Sequence, residues 1–140
     1  MADEILLSED LLRQLMSVGE ADLLVAIPTY NNEATIGQTI CVSGWTRTVR
    51  PPVEYTNGLK LRQMREYGLG GDPSDYQDDH LISLELGGSP TDPRNLWPEP
   101  YPRASKVDQI ENQLNAEICS GKITLAEGQQ RESALKHSQG

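Results

Sequence analysis

At 140 residues, with 36% hydrophobic content and no phenylalanine, the chain is sized for one domain around a small core. Its 21 acidic against 12 basic residues give a net charge of −9, which argues against avid, unassisted binding to a phosphate backbone. No stretch approaches the roughly 18 apolar residues of a membrane span. The N-terminus, MADEILLSED, is acidic where a signal peptide is basic, so a cytoplasmic chain with no membrane partner is expected.

In chain order, Ser8 to Val18 predicts a short amphipathic helix with Ser8 as N-cap and Leu11, Leu12 and Leu15 on one side, ended by Gly19. From Asp22 an apolar run followed by polar residues predicts a strand, a loop and a helix start. The string VAIPTYNNEATIG within residues 20–39 resembles the opening of nucleotide-sugar glycosyltransferases. The likeness stops there, and one strand with one turn cannot build a nucleotide pocket, which takes several βα units. Residues 1–34 are therefore read as a foreign or decayed N-terminal segment, and a truncated glycosyltransferase is the least favoured reading. Beyond them, imperfect alternation through Val42, Trp45, Thr48 and Val49 predicts a short strand that Pro51-Pro52 ends. Thr56 or Asn57 is placed to cap a helix running to about Tyr67, with Leu59, Gln63 and Tyr67 on one stripe. Asp79 to Leu86 is expected as a strand, Gly87-Gly88, Pro90, Asp92 and Pro93 as turns, and Asn95-Leu-Trp as the returning strand. Pro98, Pro100 and Pro102 should hold the chain extended until a helix begins near Ser105, with Val107, Ile110, Leu114 and Ile118 on its packed face. Gly121 stops that helix, Thr124 and Glu127 form a capping box for a last short helix, and the polar tail from Arg131 is expected to fray.

The stretch Tyr76 to Pro100, YQDDHLISLELGGSPTDPRNLWPEP, concentrates the chemistry. A carboxylate beside an imidazole offers a hard ligand for a divalent cation next to a group that titrates near neutrality, and metal-assisted hydrolysis needs both. This wording resembles the HNH, or ββα-metal, nuclease superfamily, and more narrowly the bacterial HNH proteins that read DHLIPLELGG…PRNLWPEP. The TVRPP, YTN and LK words match as well, so the likeness runs from about Thr35 to about Gln130. It implies an α+β fold, a small ββα-metal hairpin-plus-helix module with flanking helices, over residues 35–130 with a polar tail at 131–140.

The resemblance also implies roles. His80 is expected as general base and Asn95 as the brace across the hairpin. Asp79 is expected to hold the metal, Mg²⁺ ahead of Mn²⁺ or Zn²⁺. Strand alternation sends the neighbouring Asp78 to the other face. The subfamily carries Lys-Asp with a glutamate three residues on, and Asp108 and Glu111 fit that pattern as further metal ligands. The lysine is displaced by one position, and Ser83 stands where the family has proline. No helix residue supplies the superfamily's last His or Asn, and Ser105 with Asp108 equally fits a plain capped helix start. Between Thr46 and Glu66 lie five basic residues against two acidic ones. Of these, Arg47, Arg50 and Arg62 are candidates for substrate phosphates, against the alternative of a solvated helix face. Cys41 and Cys119 are too far apart for a CxxC metal knuckle. The family commonly has both cysteines, with many members exported, which implies a disulfide; a reducing cytoplasm would leave two buried thiols. The expected function is metal-dependent endonucleolytic hydrolysis of nucleic acid, DNA first, leaving a 5′-phosphate. The alternative is an inactive HNH-fold remnant serving as a structural or interaction module.

Overall fold

The structure, a computed structural model, describes residues 33–138. The expected helix at Ser8 to Val18 and the glycosyltransferase-like strand lie outside the described residues. Within them the fold is α+β: four helices and a two-stranded antiparallel sheet.

The segment expected as a strand between Thr39 and Val49 is a series of turns leading into α1 (Trp45–Val49). Among the described residues no neighbouring strand offers a ladder, and its N–H groups are satisfied locally, as in Cys41 to the Ile36 carbonyl and Val42 to that of Thr39. Buried Ile40 and a disulfide from Cys41 to Cys119 pull the segment onto the core. Helix α2 (Val53–Glu66) begins earlier than the Thr56 or Asn57 cap predicts. Pro52 precedes it in extended geometry, and its carbonyl accepts from Tyr55 and Thr56. Leu59 and Gln63 are buried as expected, but Tyr67 is 55% exposed, so the packed stripe ends at Met64. Side chains of α2 reach backbone carbonyls of the neighbouring loops: Tyr55 Oη to Thr91 at 2.5 Å, Gln63 Nε2 to Pro93 and Leu96, and Lys60 Nζ to Pro73 and Tyr76.

Strands β1 (Tyr76–His80) and β2 (Leu96–Pro100) pair from Tyr76 opposite Pro100 to His80 opposite Leu96. The first strand thus starts earlier than expected and does not run to Leu86. Ile82, Ser83 and Leu84 are buried in succession, and Leu84–Leu86 closes into a 3₁₀ turn. Asn95 ends a second such turn, just before β2. The prolines of β2 are tolerated because a two-stranded sheet leaves alternate N–H groups without ladder duties.

Helix α3 (Tyr101–Cys119) starts four residues before the expected Ser105, with Pro102 in its first turn, where the missing N–H costs nothing. Ser105 and Asp108 consequently lie inside the helix and form no cap. Val107, Leu114 and Ile118 are buried, Ile110 is 36% exposed, and Glu111 is buried instead. Gly121 leaves the helix at φ 80°, and Thr124 and Glu127 make the reciprocal bonds of a capping box. Helix α4 (Leu125–Ser138) is neither short nor frayed from Arg131: Glu132, Ser133 and Lys136 are all buried. The apolar core gathers Ile40, Ile82, Leu86, Leu114, Ile118, Ile123 and Leu125 between α3, α4 and the loop after β1. No helix among the described residues is long and apolar enough to cross a membrane.

Candidate active site

The end of β1 and the second and third turns of α3 face each other across a cleft of about 360 Å³. Its lining includes Arg50, Gln77, Asp79, His80, Ser83, Glu85, Asp108, Glu111 and Asn112. The fold therefore brings together Asp79, His80, Asp108, Glu111 and Arg50 from three separate segments. Asp78 does not line the cleft; burial pushes its carboxyl up to about 7, against the opposing pull of Lys60. Arg47 and Arg62 do not line it either: Arg47 is exposed with its guanidinium against Gly44, and Arg62 sits 3.8 Å from Glu66 on the outer face of α2.

His80 is 6% exposed, and its Nε2 lies 3.0 Å from the carbonyl oxygen of Pro90. A carbonyl only accepts, so Nε2 carries the proton and Nδ1 holds the lone pair of the neutral ring. Burial lowers the imidazole pKa below its ordinary value, outweighing the Pro90 bond and the Asp79 charge that favour the cation. Asn95 is absent from the cleft wall and works behind it. Its Oδ1 accepts the Ile82 N–H at 2.8 Å, while Nδ2 donates to the carbonyls of Ile82 at 3.0 Å and Ser89 at 2.9 Å. It thereby fixes the loop that presents the Pro90 carbonyl. Gly88 permits this closure, since a Cβ there would sit 1.8 Å from the Ile82 carbonyl oxygen. Asn95→Ala would strand the buried Ile82 amide and carbonyl, and a loss of about 3 kcal/mol is expected. Urea unfolding measures it, and a change below ~1 kcal/mol would remove Asn95 from its bracing role.

The largest departure from sequence expectation is Lys136. Its side chain is 0% exposed, with Nζ 2.9 Å from Asp79 Oδ2, 2.6 Å from Glu111 Oε1 and 3.4 Å from Glu132 Oε1. The same ammonium donates to the His80 carbonyl. Desolvation lowers its pKa, but Glu132, Asp79 and Glu111 together win and raise it, so the group stays charged. Glu132, also fully buried, accepts the Ser83 N–H on both oxygens at 3.0 and 3.1 Å. A proline at position 83 would have no such donor. Burial pushes Glu132 up to about 8, and Glu99 likewise to about 8 with the Asp79 charge adding. Burial and the charges of Glu111 and Asp108 push Glu85 up to about 7. Arg103 stacks 5.2 Å over the Trp97 ring, with Nε 3.5 Å from Glu99. Apolar periodicity misses Lys136 because the buried face of α4 beyond Leu125 is polar; the spacing Leu125, Gln129, Glu132, Lys136 is its only trace.

Asp79 and Glu111 offer hard carboxylate oxygens, the donor type a divalent cation prefers. Both lie within 3 Å of one ammonium, which is itself a cation standing in their shared focus. In this structure Lys136 occupies that focus. No group of three or more His, Cys, Asp or Glu side chains arranged to hold a metal ion occurs among the described residues. Comparison of the chain with protein-family models, curated proteins and solved structures finds no match.

Proposed function

We propose that this chain is a metal-assisted phosphodiesterase of the HNH type, an endonuclease acting on nucleic acid, with DNA the first substrate to test. The observation that carries the reading is His80: a buried ring on the cleft wall, protonated at Nε2 by the Pro90 bond and held neutral with its Nδ1 lone pair available. A general base needs that protonation state. The order of hairpin then helix, with Asp79 and His80 ending β1 and Glu111 opposite on α3, supports a ββα-metal module. In the proposed reaction His80 takes a proton from water, the water oxygen bonds to phosphorus, and the P–O bond to the leaving sugar breaks. The leaving oxygen is protonated from solvent. Arg50, on the same wall, contacts a non-bridging phosphate oxygen. Asp79 and Glu111 would hold the divalent cation, with Asp108 on the rim; when bound, it supplies Lewis-acid polarisation of the phosphate and stabilises the leaving oxygen. The Cys41–Cys119 disulfide favours an oxidising compartment over the cytoplasm.

Wild-type protein should nick plasmid DNA, or cut single-stranded DNA or RNA, with Mg²⁺ or Mn²⁺ and stop with a chelator. Asp79→Ala should lose divalent-ion heat in calorimetry while keeping its helical circular dichroism. Undiminished affinity in that variant would move the metal elsewhere. The inactive-scaffold reading draws its support from Lys136, which already neutralises Asp79 and Glu111. An absence of cleavage on every polymer and with either metal would favour it.

A further inference from the structure

We propose that the Lys136 ammonium is the resident cation of this site, and that a divalent ion binds only by displacing it, with the last turn of α4 as the part that moves. The inference rests on the metal reading above and adds what this chain does to it. Nζ takes its three closest contacts from the two elements that face the cleft: Asp79 and the His80 carbonyl on β1, and Glu111 on α3. A divalent ion using the same oxygens would lie within a few ångströms of the ammonium, where like charges in a desolvated site repel strongly. The two cations therefore exclude each other.

The lysine is built into place. Glu132 lies one helical turn earlier, 3.4 Å from Nζ, and is itself anchored by the Ser83 N–H. Arg103, from the first turn of α3, donates to the carbonyls of Leu135 and Lys136 and so clasps the end of α4. Release is nonetheless local. Lys136 stands two residues before the end of the helix, and His137 and Ser138 after it are exposed. Terminal turns lack forward hydrogen-bond partners and open at far lower cost than the rest of a fold. A withdrawn lysine leaves Asp79, Glu111 and Glu132 in need of a cation, which a divalent ion provides.

Mn²⁺ titration by calorimetry of wild type, Lys136→Met and Lys136→Met with Asp79→Asn tests this. The single variant should bind Mn²⁺ at least about tenfold tighter than wild type, one factor of ten being ~1.4 kcal/mol, and the double variant should lose that gain. In wild type, Mn²⁺ should speed amide hydrogen exchange over residues 133–138 while slowing none of them. Equal or weaker binding in Lys136→Met, with wild type binding normally, overturns the displacement and leaves the metal reading standing. Absence of Mn²⁺ binding in all three proteins overturns the metal reading and this inference with it. Should Lys136→Met fail to fold, exchange in wild type decides: Mn²⁺ bound with residues 133–138 unchanged overturns the proposal.

Discussion

His80→Ala is expected to lower phosphodiester cleavage by about 10²–10⁴-fold, the usual contribution of a positioned general base. The substitution removes the ring alone. The His80 backbone carbonyl that Lys136 holds remains, as do the β1–β2 pairing and the Asn95 brace, so lost catalysis is separable from lost structure. Near-ultraviolet circular dichroism of the variant should match wild type. The pH profile carries a second signature. Burial sets the folded pKa of His80 below its ordinary 6.5, so the acid limb of kcat/KM should fall below pH 6.5. The same depression has a stability sign: the unfolded chain takes up the proton more readily than the folded one. Stability due to the neutral ring is thus full above pH 6.5 and is lost as pH falls through the folded value. Cleavage by His80→Ala at the wild-type rate would remove the histidine from the reaction.

The parts of this fold legible beforehand were those set by neighbours in the chain. Gly121 takes the left-handed stop, Thr124 and Glu127 cap one another, and alternation brings Asp79 but not Asp78 to the cleft. Each depends on contacts within four residues or on a simple period. What escaped is set by distant partners. The segment before α1 has strand-like residues but, among the described residues, no strand to pair with, and the bond from Cys41 to Cys119 holds it to α3. Helices α2 and α3 begin directly after a proline, because a first turn needs no N–H there, whereas capping side chains point to starts four or five residues later. Lys136 escaped for the opposite reason: a helix with a polar buried face has no apolar stripe to betray it.

The acidic balance of the sequence also needs correcting for what the fold does to its carboxyls. Glu85, on the cleft wall, titrates near 7 because burial and the charges of Glu111 and Asp108 disfavour its anion. Around neutral pH it keeps a share of its protons, so a net charge of −9 overstates the repulsion a phosphate meets at the cleft. Arg50 has no side-chain ion pair among the described residues, while Arg62 and Arg94 have one each. One unspent guanidinium at the mouth of a partly neutralised site is consistent with weak, local phosphate binding. It does not suit a protein that wraps a duplex electrostatically.

Replacing both Cys41 and Cys119 by serine is expected to cost about 4.5 kcal/mol of stability, the loop-entropy value for closing a span of this length. The bridge joins residues 78 apart, from the segment before α1 to the last residue of α3. Between residues 36 and 45, Ile40 is the one buried apolar side chain, with Ile36, Cys41 and Trp45 partly covered, and Asn115 Nδ2 donates to the Ile40 carbonyl at 3.2 Å. A domain of this size has a total stability of only about 5–15 kcal/mol, so the loss would be a large fraction of it. The cleft should suffer as well, since Thr46 and Arg50 on its wall follow directly from the tethered residues. Urea unfolding of wild type with and without a thiol reductant, beside the double-serine variant, measures the effect. Reduced wild type and the variant should share one lowered midpoint. A midpoint equal to that of the oxidised protein would mean that Ile40 and its neighbours hold the segment without the bridge.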